Sequence, residues 1–234
     1  MQLGVNVDHV ATLRNLRGTT YPSIVELANI AVEHGADFIT VHLREDRRHV
    51  RDDDLYALKK HVNVPINLEM AATEEMLAIA KELSPEFVCL VPEKREEVTT
   101  ESGLDTKLLY DTRLFIISEL QRHGIKVTLF LDPSEEDIAC AKRMNVDKIE
   151  LHVGAYCISR APQELEMITR AAQLVHEAGM ICHAGHGIDY ECAAAISKVK
   201  HITAINVGHF LVCEAITQGM GNAVRKMKDI ITSW

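Results

Sequence analysis

Acids, bases and amides recur along this chain directly after short apolar runs: Asn6, Asp8 and His9; His42, Arg44 and Glu45; Asn67 and Glu69; Glu93 and Lys94; Asp132; Glu150 and His152; His183 and His186; Asn206 and His209. Imidazole takes and gives protons near neutral pH, and a carboxylate shielded from water can be shifted into the same range. Gathered around one cavity, such groups could move protons repeatedly on a small substrate. One histidine or carboxylate in such a position is more often hydrogen-bonded scaffolding than a catalyst. Chance placement after all eight runs is much harder to accept, so the constellation carries the argument for acid-base chemistry. Two glycine turns, Ala184-Gly185-His186-Gly187 and Val207-Gly208-His209, add an anion-binding feature. Glycine lets backbone N–H groups approach a ligand closely, and a helix N-terminus favours negative charge. Arg44 and His49, in the charged segment 42–49, could clamp a second phosphate, and Arg17 offers the same option from the segment 15–20, read as a loop. Arg47 and Arg48 fit a solvated loop with local ion pairs as well.

The elements that must position these groups follow from periodicity. Eight runs rich in Val, Ile, Leu or Phe read as strands buried on both faces: Leu3–Val7, Phe38–Val41, Ile66–Leu68, Phe87–Val91, Val127–Leu131, Lys148–Leu151, Ile181–His183 and Ala204–Val207. Between them, amphipathic stretches predict helices over Ser23–His34, Asp53–His61, Glu74–Leu83, Leu108–His123, Glu135–Met144, Glu164–Ala178 and Tyr190–Lys198, with an eighth in Phe210–Trp234 broken near Gly219 and Gly221. Thr73 and Ser134 read as helix starts, and Gly35, Gly124 and Gly179 as left-handed helix ends. Eight βα repeats favour a closed (β/α)8 TIM barrel with additional helices over an open doubly wound sheet, which commonly has about five or six strands. The length of 234 residues suits one such catalytic domain spanning 1–234, since the fold typically takes about 250 residues. In barrels of this kind, chemistry sits at the C-terminal ends of the strands, with phosphate often seated after strands seven and eight. The long polar loop Pro92–Asp105 predicts an active-site cover.

Composition narrows the partners. A net charge of -9 disfavours nucleic acid and anionic membranes, and no apolar run approaches a membrane span. The opening Met-Gln-Leu-Gly-Val-Asn has no signal-peptide pattern, which makes the cytoplasm the expected location. Six cysteines without a CxxC pair point neither to a disulfide framework nor to a zinc site, and read as reduced, inert thiols.

The segments 4–14, 40–49 and 67–70, with Leu90-Val91-Pro92-Glu93-Lys94-Arg95, Val98-Thr99-Thr100-Glu101, Ala184-Gly185-His186-Gly187 and Asn206-Val207-Gly208-His209, closely resemble the pyridoxine 5′-phosphate synthase family. The resemblance covers essentially the whole chain. It implies a (β/α)8 barrel with added helices that assembles as a homo-octamer. The implied reaction joins 3-amino-2-oxopropyl phosphate to 1-deoxy-D-xylulose 5-phosphate, with loss of phosphate and water and with no metal or organic cofactor. By motif it implies His42 and Glu69 as proton acceptors and His186 as proton donor. Asn6, Asp8, His9, Arg17, Arg44, His49, Thr99, Gly187, Gly208 and His209 are implied to hold the substrates, and Glu150 to be a further acidic site residue. The loop after strand six, from Gly154, is shorter than the resemblance predicts.

Two rival functions share these residues. A metal-dependent sugar-phosphate epimerase or hydrolase could use some of the twelve histidines, although no HxH or HExxH pair is present. A noncatalytic phosphate-ligand sensor on the same scaffold would bind without turnover.

Overall fold

The computed structural model describes residues 1–93 and 102–233. Eight parallel strands close into a barrel in chain order: β1 (Gln2–Asn6), β2 (Phe38–His42), β3 (Ile66–Met70), β4 (Phe87–Leu90), β5 (Lys126–Leu131), β6 (Lys148–His152), β7 (Ile181–Gly185) and β8 (Ile202–Val207). The ring closes where β8 pairs with β1, with Gly4 opposite Asn206. Helices α1 (Asp8–Arg17) and α2 (Ile24–Glu33) follow β1, and α3 (Asp52–His61), α4 (Glu74–Leu83), α5 (Thr106–Arg122) and α6 (Glu135–Arg143) follow the next four strands in turn. The shell is completed by α7 (Gly154–Ser159) and α8 (Pro162–Glu177) after β6, α9 (Tyr190–Ile196) after β7, and α10 (His209–Gln218) and α11 (Met220–Thr232) after β8.

Local sequence explains the helix boundaries. The hydroxyls of Ser23, Thr73 and Ser134 accept hydrogen bonds from the backbone N–H groups of Glu26, Met76 and Asp137, satisfying donors that a helix start leaves free. Past the ends of α2, α5 and α8, Gly35, Gly124 and Gly179 take φ of 112°, 77° and 83°, the left-handed region that glycine enters without a Cβ penalty. Gly219, with φ 81°, breaks the last helical stretch into α10 and α11. Gly221, predicted to contribute to that break, is instead helical. A Cβ there would lie 2.6 Å from His34 Nε2, so its smallness serves the packing of α11 on α2.

The strands are less uniform than their apolar appearance predicts. Leu3, Val5, Ile39, Val41, Leu68, Leu129, Ile149 and Ile205 are fully buried in the main hydrophobic core. The alternate positions face the barrel axis, because successive side chains of a strand point to opposite faces. That inner face carries Asn6, His42, Glu69, Glu150 and Asn206 at the mouth, and Phe38, Asn67, Phe87, Thr128, Lys148 and His183 lower down. A barrel interior is ordinarily filled by branched apolar side chains. Here it is built largely of polar and ring-bearing ones, with Cys89, Val91 and Phe130 forming a small separate apolar cluster.

Two helices depart from expectation. Residues 8–17 form α1, so Arg17 ends a helix and does not lie in the loop expected over 15–20, and the segment after β6 contains α7. The apolar face of α1 is narrow, Val10 and Ala11 being joined in burial by Arg14, so periodicity alone does not reveal it. Arg14 donates two hydrogen bonds to Asp54 on α3, at 2.5 and 2.9 Å, and a longer one of 3.4 Å to the His49 carbonyl. This largely buried pair ties α1 to α3 and to the loop bearing His49. Asp54→Asn removes the charge while keeping the shape, and we expect a loss of about 2 kcal/mol in chemical denaturation, as for hydrogen bonds to charged groups. Unchanged stability would show that the pair contributes nothing measurable.

Candidate active site

Strand register brings the proposed proton-transfer groups together. His42 and Glu69 end up side by side because they are register partners at the top of β2 and β3. Glu150, on β6, has room for its carboxyl only because Gly185, two positions along β7 from its register partner His183, is small: a Cβ on Gly185 would lie 1.9 Å from Glu150 Oε1. His186 and Gly187 follow with φ of 76° and 75°, two successive left-handed residues that swing the chain over the barrel mouth before Asp189 caps α9. Gly208 permits a similar approach, since a Cβ there would sit 3.0 Å from the Asn6 Cβ.

These residues share one cavity of about 430 Å³, within the range typical of small-molecule sites. Asn6, Asp8, His9, His42, Arg44, His49, Glu69, Glu150, His186, Gly187, Gly208 and His209 all line it. Arg17 does not: α1 starts at the mouth with Asp8 and His9 and carries Arg17 about 13 Å along its axis, at the exposed far end. Thr99 lies outside the described residues, as does Lys94. Arg47 pairs with Asp52 and Glu75, and Arg48 with Asp46, as expected of a solvated loop.

Hydrogen bonds fix the orientation of the central groups. Asn206 Nδ2 donates to Glu69 Oε1 at 3.0 Å, and Asn6 Nδ2 approaches Glu69 Oε2 at 3.5 Å while donating to Asp8 Oδ2 at 2.8 Å. The other oxygen of Asp8 accepts the His42 backbone N–H at 2.8 Å. His42 Nε2 lies 2.9 Å from Glu93 Oε1, and Glu93 Oε2 accepts the Glu45 N–H. A second chain runs from Asp132 to His152 Nδ1 at 2.9 Å, with the His152 ring edge-on to His186 at 4.9 Å between centroids.

Burial sets the proton affinities. Glu69 is raised well above the usual carboxyl range, chiefly because desolvation penalises its charge and then because Glu150 and Asp8 add negative potential; the Asn206 hydrogen bond opposes this in part. Desolvation lifts Glu150 to about 7. It also lowers His186 to about 4, assisted by His152, and depresses His9 and His49. Burial works to raise Glu93, but the hydrogen bond and charge of His42 outweigh it and hold that carboxyl low. The site thus contains two carboxyl groups of raised proton affinity beside three imidazoles, His9, His49 and His186, whose affinity is lowered. Among the described residues, Asp8, His42 and His49 have the mutual spacing of metal ligands, with candidate atoms within 4.8 Å of one another.

The family description "Pyridoxal phosphate biosynthesis protein PdxJ" matches residues 3–233. The chain belongs to this family. Among PdxJ relatives, pyridoxine 5′-phosphate synthase of Anaplasma marginale (strain St. Maries) is 63% identical over 231 residues, covering 99% of this chain and 97% of its own. The protein of the same name from Bdellovibrio bacteriovorus (strain ATCC 15356 / DSM 50701 / NCIMB 9529 / HD100) is 45% identical over 236 residues, covering 99% and 98%. Solved structures with the same fold include N-(5′-phosphoribosyl)anthranilate isomerase from Pyrococcus furiosus, at 13% identity and a TM-score of 0.65 with 100% of both chains covered. A mutant tryptophan synthase alpha-subunit from the same organism is 12% identical with a TM-score of 0.66, covering 100% and 98%. At such identities the likeness shows the barrel alone.

Four further residues of this PdxJ chain acquire parts that sequence reasoning did not assign. Asn206 holds Glu69, Glu93 holds His42, and Asp132 with His152 backs His186. Each follows or ends a strand, and Glu93 and Asn206 lie inside the quoted motifs, so the signal was position; what each side chain touches is not written in position.

Proposed function

We propose that this chain is a pyridoxine 5′-phosphate synthase, a transferase-type enzyme with one catalytic domain spanning 1–234. It condenses 3-amino-2-oxopropyl phosphate with 1-deoxy-D-xylulose 5-phosphate to pyridoxine 5′-phosphate, phosphate and water. It acts in the cytoplasm as a homo-octamer, without a metal or organic cofactor. The observation that carries the assignment is the single cavity in which Glu69, His42 and His186 meet beside the Gly187 and Gly208 turns.

In this reading the glycine turns and His209 receive one phosphate through backbone N–H groups, and Arg44 and His49 bind the other. The amine of one substrate adds to the ketone of the other, and water leaves as the imine forms, so the substrate supplies its own nitrogen and no enzyme lysine is required. Closing and aromatising the ring then takes protons from carbon. Glu69 and His42 accept them: the elevated affinity of Glu69 makes it a stronger base, and the Glu93 carboxylate stabilises His42 once protonated. His186 is neutral in the free protein. A phosphate dianion arriving beside Gly187 raises its affinity, so the donor is charged by the ligand that needs the proton.

The test is turnover. Mixed with both substrates, the purified protein should release inorganic phosphate and accumulate a fluorescent pyridine, with the rate unchanged in excess chelator. Binding without phosphate release would indicate a sensor. Loss of turnover in chelator would assign the Asp8, His42 and His49 group to a metal.

A further inference from the structure

We propose that Cys157 and Cys192 form a reversible redox site directly beneath the His186–Gly187 turn. The two thiols belong to α7 and α9, and the intervening α8 and β7 bring them together. The two sulfurs are close enough that each is the largest influence on the other's proton affinity. Arg160 ends α7 in the left-handed conformation, φ 55°, and from there its guanidinium reaches both the Cys192 sulfur and the Asp189 carboxylate. Asp189 in turn accepts the Cys192 backbone N–H at 2.8 Å. Cys157, followed by the Arg160 charge, favours the thiolate of Cys192 against its burial, and Cys157 holds its own proton more firmly than a free thiol.

The pair is coupled to the active site by contact. A Cβ on Gly187 would lie 3.3 Å from the Cys157 Cβ, so this cysteine forms the floor on which the turn rests. Cys157 is partly exposed whereas Cys192 is buried, which makes Cys157 the entry point for an oxidant. The co-reactant is a hydroperoxide. The Cys192 thiolate, facing Arg160 and reached past Cys157, attacks a peroxide oxygen. The O–O bond breaks, an S–O bond forms on Cys192, and the departing alkoxide or hydroxide takes up the Cys157 thiol proton. Cys157, now a thiolate, then attacks the Cys192 sulfur, forming the S–S bond and expelling hydroxide, which takes a proton from solvent and leaves as water. Both sulfurs are oxidised and the peroxide is reduced to an alcohol and water, or to two waters from hydrogen peroxide. An S–S bond of about 2.05 Å is far shorter than any contact between unbonded sulfurs, so α7 is drawn toward α9 and the Cys157 Cβ moves under Gly187.

The decisive experiment treats the intact protein with a modest excess of hydrogen peroxide, followed by non-reducing peptide mapping, amide exchange and turnover. We expect a Cys157–Cys192 cross-linked peptide, faster exchange in the peptide covering 185–189, and a drop in turnover of about tenfold or more, given how steeply rate falls with small misplacements. Dithiothreitol should reverse all three, and Cys157→Ser should keep its turnover through the same treatment. If that variant does not fold, Cys192→Ala serves. The turnover arm rests on the function proposed above, whereas the cross-link and the exchange do not. Absence of activity with the cross-link present would therefore count against that function and not against the redox site. Oxidation confined to the exposed Cys213, or a cross-link that leaves both exchange and turnover unchanged, would overturn the proposal.

Discussion

Replacement of Glu69 by glutamine is expected to lower kcat by about 10³-fold, within the range supplied by a positioned general base. The amide fills the same volume and can still meet Asn206, so the effect isolates proton acceptance from packing. It should appear in kcat with little change in KM, because the carboxylate acts on a substrate already held by its phosphates. The pH profile gives a second readout. A base whose affinity is raised loses its proton only above the ordinary carboxyl range, so kcat/KM should climb along an acid limb displaced upward from that range. The limb should disappear in the Glu69→Gln protein. Near-normal turnover in this variant would remove Glu69 from the chemistry and leave His42 as the acceptor.

Glu150→Gln should reveal a comparably large effect in stability. The folded protein holds the Glu150 carboxyl at about 7 against an ordinary 4.5, with burial as the cause. A raised affinity means that the folded state favours the protonated acid. Its stabilising contribution is complete below pH 4.5 and is lost as pH rises through 7. Glutamine mimics the neutral acid at every pH. The variant should therefore unfold at higher denaturant than the parent at pH 8, by roughly 3 kcal/mol, and the difference should shrink toward zero near the ordinary carboxyl range. The side chain is almost wholly enclosed, so solvent screening takes little from that figure. A stability difference independent of pH would show that the carboxyl titrates normally.

The Asp132, His152 and His186 chain bears on both results. Asp132 holds one nitrogen of His152 and thereby fixes which edge of that ring faces His186. Neither Asp132 nor His152 is among the residues lining the cavity, so they act through His186 rather than on the ligand.

The eight strands were legible because a strand enclosed by helices must bury its outer face, and runs such as Val127–Leu131 advertise it. Helix ends at Gly35, Gly124 and Gly179 were legible for a local reason, the left-handed backbone that glycine supplies. The strand-end acids and histidines were visible as candidates, since the barrel aims all its strand ends at one face. The chain did not disclose α1, whose inward side is completed by Arg14 paired to Asp54, a residue of a different helix. It did not disclose why Gly185 must be glycine, because the obstacle is the carboxyl of Glu150 on the neighbouring strand. Nor did it show Cys157 beside Cys192, which no spacing pattern links.

What the order of residues settled by itself was the barrel, its βα rhythm and the roster of reactive side chains, all of which depend on short-range periodicity and on the types of side chain placed after each strand. Only the closed structure decided which of those side chains touch, which proton affinities are displaced, and that Arg17 stands apart from the cavity it was expected to join. Contact and desolvation arise between segments distant along the chain, so no local pattern can record them.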